Sequence, residues 1–323
     1  YYDRIDWDKR EKDFRILIKE SSNFSQKDYY DCIIAVSGGK DSTYQTHIIK
    51  EAGLKPLLIN FEPSFPTEIG KRNLQRLVDT YGFDLIQLKK SPVYRKLCRI
   101  GFDLVGDHEW PNHVGIYCWP IYMANRLNIP VTFYGEQRGL IGLGRHSENI
   151  AAGTEVISRQ VIEQYVGMNG LRISDILEYD KSISIKDVIP YTYPKDLKTK
   201  IKAYNLGHYF KWNFEKNVKI IKKLGWESLG KPVEGYWVDY EDLDCGFMPM
   251  HQYFKFIKYG YGRATDHAAM ALRTKQISKK QAKELIVDFD GKIPTKYFKE
   301  YLNFLNINED YFVKKRNKFT NHF

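Results

Sequence analysis

Cys32-Ile33-Ile34-Ala35-Val36-Ser37-Gly38-Gly39-Lys40-Asp41-Ser42 runs from an apolar, β-branched segment through a double glycine into a polar one. The first five residues read as a buried parallel strand. Thr43 to Lys50 reads as a helix. Strand, glycine turn and helix, in that order, make an anion site. Glycine lets the backbone approach a ligand and reach angles that other residues resist. The unpaired N–H groups of the new helix then point at negative charge. The stretch is neither G-x-x-x-x-G-K-[ST] nor G-x-G-x-x-G, which disfavours the Walker and dinucleotide-binding readings.

Working outward, further strands are expected at 54–61, 84–88 and 129–134. Helices are expected at 8–20, 67–81, 93–105 and 116–127, the last interrupted early by Pro120. Strands alternating with helices at this spacing imply an α/β chain with a doubly wound parallel sheet. Ligands of such sheets bind outside the carboxyl ends of the strands. Ser37, Phe61-Glu62 and Gly135-Glu136 fall at those ends and should line one crevice. Beyond about residue 150 the pattern becomes mostly helical, with helices or short elements at 156–166, 173–179, 195–204 and 214–224. Further helices are expected at 250–259, 265–274, 279–289 and 296–306. The expected division is an N-terminal helical segment (1–30), a nucleotide-binding domain (31–150) and a mostly helical substrate or partner region (151–323), the last boundary falling between 150 and 190.

The chain has 323 residues, enough for a large α/β domain and a smaller one. No window approaches the length of apolar sequence that spans a membrane, so no membrane insertion is expected. The first residues carry charge and lack an apolar core, unlike a signal peptide. Cys32, Cys98, Cys118 and Cys245 form no C-x-x-C pair, which argues against a disulfide framework and for a reducing cytoplasm. The formal net charge of +10 includes clusters at Lys195, Lys198, Lys200 and Lys202, and at Lys314, Lys315, Arg316 and Lys318. A basic balance suits either nucleic acid or polyanionic nucleotides; a solvated surface explains the C-terminal cluster.

Ser37-Gly38-Gly39-Lys40-Asp41-Ser42 after a first strand resembles the PP-loop of the ATP pyrophosphatase superfamily, of adenine nucleotide alpha-hydrolase-like fold. Enzymes of that superfamily cleave ATP to AMP and pyrophosphate while adenylylating a substrate oxygen. A closer resemblance runs over nearly the whole chain. Tyr117-Cys118-Trp119-Pro120, the stretch Ile129 to Glu136, and Gly260-Tyr261-Gly262-Arg263-Ala264-Thr265-Asp266-His267 are similar to the N-acetyl sugar amidotransferase family of surface-polysaccharide synthesis. Two departures stand out. The family often carries Gly-Glu-Asn after the fourth strand, where this chain has Gly135-Glu136-Gln137. Members usually begin with a cysteine-rich, zinc-ribbon-like segment, and Tyr1 onward shows none, so the resemblance implies such a segment upstream or its loss.

The resemblance implies an ATP-dependent carbon–nitrogen ligase that turns the acetamido group of a nucleotide-linked N-acetyl sugar into an acetamidino group, for O-antigen or a related surface glycan. The expected binding set for ATP is Ser37, Gly38, Gly39, Lys40, Asp41, Ser42, Phe61 and Gly135. Lys40 either neutralises phosphate charge or points to solvent. Asp41 either holds Mg²⁺ with ATP or complements the helix dipole. Glu136 would position substrate or metal, against the alternative of a surface carboxylate. Arg263 would pair with phosphate or a sugar carboxylate, and Asp266 would contact sugar hydroxyls or relay a proton, against the alternative of a helix N-terminal carboxylate; His267 is open between such a role and packing. Cys118 and Cys245 are either half of a zinc site completed by the upstream segment or small packing residues. No cysteine sits in a G-x-C-x-G elbow, so a separate glutaminase is expected. The resemblance suggests a glutaminase and barrel pair like that of histidine biosynthesis. Nucleic acid is not an expected partner on this reading; the competing one is a PP-loop tRNA-modifying enzyme, a thiolase or lysidine-type ligase.

Overall fold

A computed structural model describes residues 5–25, 29–135, 156–165, 170–198 and 201–321. Five strands form one sheet: β1 (Cys32–Val36), β2 (Pro56–Phe61), β3 (Leu85–Leu88), β4 (Val131–Tyr134) and β5 (Lys202–Asn205). Their order is β3-β2-β1-β4-β5 and every pairing is parallel. The first half carries α1 (Trp7–Ser25), α2 (Lys40–Glu51), α3 (Glu68–Tyr81), α4 (Pro92–Val105) and α5 (Trp110–Leu127). The second carries α6 (Arg159–Tyr165), α7 (Ile173–Tyr179), α8 (Phe214–Lys223), α9 (Met248–Tyr259), α10 (Arg263–Arg273), α11 (Lys279–Phe289), α12 (Phe298–Leu305) and α13 (Glu309–Phe319).

The period of two along each strand sends neighbouring side chains to opposite faces. Ile34, Leu58 and Phe133 pack with Phe14 of α1 and Ile49 of α2. Ile33, Leu57 and Ile59 pack instead with Ala124 of α5 and Ile129. Both faces are covered, so the strands read as continuous apolar runs, and the doubly wound sheet is as expected. A third cluster joins α4 and α5 to the C-terminal helices through Phe102, Phe247, Phe254, Tyr301 and Phe312. The rings of this group meet mostly edge to face, an arrangement that adds to their buried area.

Two local readings differ from the structure. Residues 195–204 do not form a helix: Lys202–Asn205 is β5, paired with β4 from Val131↔Lys202 to Tyr134↔Asn205. Pro120 does not break α5, which begins at Trp110 rather than 116. A helix tolerates proline where neighbouring packing offsets the lost bond, and here Pro120 is buried on the packed face.

Candidate ATP site and its buried charge network

The turn after β1 puts Gly38 at φ +84°, a conformation that favours glycine. A Cβ there would lie 2.6 Å from the Gly70 carbonyl oxygen and 2.9 Å from the Leu74 nitrogen, both backbone atoms of α3. The loop is internally braced. Gly39 N–H donates to Ser37 Oγ at 3.2 Å, Ser37 N–H donates to Ser42 Oγ at 3.2 Å, and Ser42 Oγ donates to the Gly39 carbonyl at 3.1 Å. The Trp226 indole donates to the Gly38 carbonyl at 2.9 Å. α2 starts at Lys40 with no side-chain cap, so the N–H groups of its first turn have no intrahelical acceptor. Gly135, at the end of β4, lies against that turn: a Cβ there would be 2.8 Å from the Asp41 carbonyl oxygen. The ends of β1 and β4 thus meet at the start of α2. Phe61 is turned into the core, with its ring edge-on to Tyr94 and Tyr191 and Lys90 Nζ 3.4 Å above its centre. Glu136 and Gln137 lie outside the described residues.

Lys40 does not reach solvent. It is 4 % exposed, with Nζ 2.6 Å from Asp41 Oδ2 and in contact with the Glu241 carboxylate. The ammonium also lies 4.4 Å from the centre of the Phe214 ring. Asp41 spends its other oxygen on the Trp212 indole at 2.9 Å. Glu241, 1 % exposed, also takes Arg263 Nη2 at 2.5 Å and lies 3.1 Å from His267 Nε2. Arg263 Nη1 is 4.0 Å from Asp266, which Lys255 contacts directly. Burial alone would push Lys40 down, but Asp41 and Glu241 outweigh it and the net shift is upward. Burial likewise opposes the charged form of Glu241, yet Arg263 and Lys40 hold it well below the usual carboxylate range. The network thus brings together Lys40, Asp41, Arg263, Asp266 and His267, all singled out in the sequence, around Glu241, which was not.

The segment carrying Glu241 is the principal residue set that sequence reading missed. Asp239, Glu241, Asp242 and Asp244 fall within one short run, and that density of acids beside a glycine was the available signal. Asp244 sits against the loop: its Oδ1 would be 3.9 Å from a Cβ on Gly39, and its carbonyl accepts from Thr67 N–H at 3.1 Å. Burial, reinforced by the neighbouring Asp242, pushes Asp244 up to about 7, with the Ser37 hydroxyl pulling the other way. A cleft of about 430 Å³ opens beyond this segment, lined by Phe65, Asp242, Phe247, Tyr297 and Lys296 among others. Cys118 is buried in the core of α5, while Cys245 Sγ lies 3.3 Å from Ser64 Oγ and 3.9 Å from Glu109.

Sheet order, glycine loop and open helix start together define an α/β protein with a doubly wound parallel sheet. Residues 234–323 match the family described as "LPS biosynthesis protein WbpG-like, C-terminal domain". No curated protein sequence matches the chain. Similar solved structures include an NH3-dependent NAD synthetase from Campylobacter jejuni in complex with nitrate, 13% identical, covering 90% of this chain and 99% of that one at a TM-score of 0.41. An NMN synthetase from Francisella tularensis is 10% identical, covering 68% and 87% at 0.36. The U34-tRNA thiolase NcsA from Methanococcus maripaludis, solved with its [4Fe-4S] cluster, is 10% identical, covering 88% and 84% at 0.36. Among the described residues no helix is long and apolar enough to cross a membrane.

Proposed function

We propose that this chain is an ATP-dependent, AMP-forming amidotransferase acting on a nucleotide-linked N-acetyl sugar for lipopolysaccharide O-antigen or a related surface glycan. The observation that carries the reading is the pairing of an uncapped α2 start behind Gly38 with a WbpG-like C-terminal domain whose acidic segment closes on that loop. In the proposed reaction the acetamido oxygen attacks the α-phosphorus of ATP, the bond to the β-phosphate oxygen breaks and pyrophosphate leaves. Ammonia then adds to the activated carbon, the carbon–oxygen bond breaks and AMP departs, leaving an amidine. An amide oxygen is a poor leaving group; adenylylation makes it a good one.

The chain's own part is to bind and orient. Ser37 and Ser42 are engaged within the loop, so phosphate falls to the first-turn N–H groups of α2, preorganised as an anion site. Lys40 contributes a buried positive charge that Asp41, Glu241 and, through Glu241, Arg263 keep in place. On this reading Arg263 and Asp266 are positioning residues. The residues also fit a Mg²⁺ ion accompanying ATP. Both oxygens of Asp41 are engaged, whereas the half-buried Asp244 lies beside Gly39, its carboxyl pushed up by burial and by Asp242; Asp244 is therefore the better placed ligand. Bound there, the ion would offset the charge of the phosphates. The cleft beside the half-buried Phe65 and Tyr297 offers aromatic rings to a nucleoside base. All four cysteines are buried, which supports an external ammonia source such as a separate glutaminase with a barrel subunit, in the cytoplasm.

The test is AMP and pyrophosphate release from ATP and Mg²⁺ with ammonium, across UDP- and CMP-linked N-acetyl sugars and bulk tRNA. Sugar-dependent AMP with a product carrying NH in place of one oxygen supports the proposal. AMP formed only with tRNA overturns it in favour of RNA modification.

A further inference from the structure

Away from the loop, two helix starts bring together Asp107, His113 and His251. Asp107 is buried in the connection between α4 and α5, where its Oδ1 accepts from Glu109 N–H at 3.0 Å. His113 lies on the first turn of α5 and His251 on the first turn of α9. The two imidazole rings are 4.8 Å apart at their centres, and His251 Nδ1 is 2.8 Å from Asp107 Oδ1. One donor atom from each residue lies within 4.8 Å of the other two, and among the described residues this is the group of three such side chains that comes so close.

The donor set and its field both suit a cation. Two imidazoles and a carboxylate are ligands that borderline divalent metals take, leaving a further position for water. Bonds of about 2.0–2.1 Å in a tetrahedral site set donors about 3.4 Å apart, so the group needs only small side-chain adjustments around an ion. Glu109 and Asp242 both add negative potential at His113. Lys258, the cation near Asp107, directs its ammonium to the Val105 carbonyl at 3.1 Å.

We propose that Asp107, His113 and His251 bind one divalent transition-metal ion of the zinc class. The ion would clamp the WbpG-like domain, which supplies His251, to the helix layer of the sheet, which supplies Asp107 and His113. This site is separate from Cys118 and Cys245, and it does not depend on the reaction proposed above.

The test uses the full chain, stripped with a chelator and titrated with Zn²⁺ and Co²⁺. About one equivalent should bind, and Co²⁺ should show visible absorption of a four- or five-coordinate nitrogen–oxygen site. His113→Ala and His251→Ala should each weaken binding by more than the about 10–100-fold that loss of an outer partner costs, with the fold checked by circular dichroism. X-ray absorption at the zinc edge of the wild-type protein needs no variant. A shell of nitrogen and oxygen at about 2.0–2.1 Å with imidazole scattering supports the site; sulfur at about 2.3 Å overturns it. Absence of stoichiometric binding, or binding unchanged in both histidine variants, overturns it as well.

Discussion

Two charged clusters join the sheet and its helices to the C-terminal helices, and they are balanced differently. Around the glycine loop, Lys40, Arg263 and Lys255 meet Asp41, Glu241 and Asp266, cation against anion, with Trp212 and His267 filling the gaps. Around Asp107, two imidazoles share a carboxylate while Glu109 and Asp242 add further negative charge. A buried charge is costly unless paired. The first cluster meets that demand from within the chain, Lys40 being paired with Asp41 and Glu241. The second, where His251 Nδ1 lies 2.8 Å from Asp107 Oδ1 beside His113, is the cluster proposed above to take a metal ion.

The largest expected effect breaks the first cluster. Glu241→Gln would leave Lys40 and Arg263 buried without their shared carboxylate, and should cost about 3–5 kcal/mol in urea unfolding, with ATP turnover lost. A loss no greater than that of a surface substitution would mean the network does not bear on stability. Next comes the second cluster. Zn²⁺ at a hundred times its dissociation constant should stabilise the chain by about 2.7 kcal/mol, and His251→Ala should abolish that gain. Gly38→Ala should cost about 1–3 kcal/mol from backbone strain and more from the clash with α3, and should suppress AMP formation; unchanged turnover would detach the loop from the chemistry.

A fourth prediction concerns slope more than size. The folded chain keeps Asp244 protonated to about 7, whereas its ordinary value is 3.8. Folding therefore holds a proton that the unfolded chain releases, and stability present below the ordinary value is lost as pH rises through about 7. Asp244→Asn should flatten urea stability over that window, and an unaltered slope would remove Asp244 from the account. The smallest effect lies outside both clusters. Ser278 caps α11 by accepting from Gln281 N–H at 3.3 Å, with the Gln281 side chain returning to Ser278 N–H. Ser278→Ala should cost about 1 kcal/mol in thermal unfolding and leave metal binding intact.

How much of this was legible varies with sequence distance. α11 at 279–289 was readable to the residue because its capping box and apolar spacing are contiguous. β5 was not: it is a four-residue edge strand in a lysine-rich stretch, and its pairing with β4 lies some seventy positions back along the chain. Arg263, Asp266 and His267 were noticed through the motif that carries them, but Glu241, which Arg263 and His267 both contact, sat in an acidic run that resembles a solvated loop. Asp107, His113 and His251 follow no ligand spacing, and only the convergence of α5 and α9 makes them neighbours.

The sequence by itself determined the glycine loop, the alternation of strand and helix, and hence a parallel α/β sheet. These depend on backbone preferences and apolar periods that act over a few residues. Only the tertiary structure decided that Lys40 is buried rather than solvated, that Asp41 is engaged by Trp212, and that Asp244 closes on Gly39. Each depends on a partner about 170 to 205 positions away. A buried charge takes its meaning from whatever packs against it, and chain order does not encode that directly.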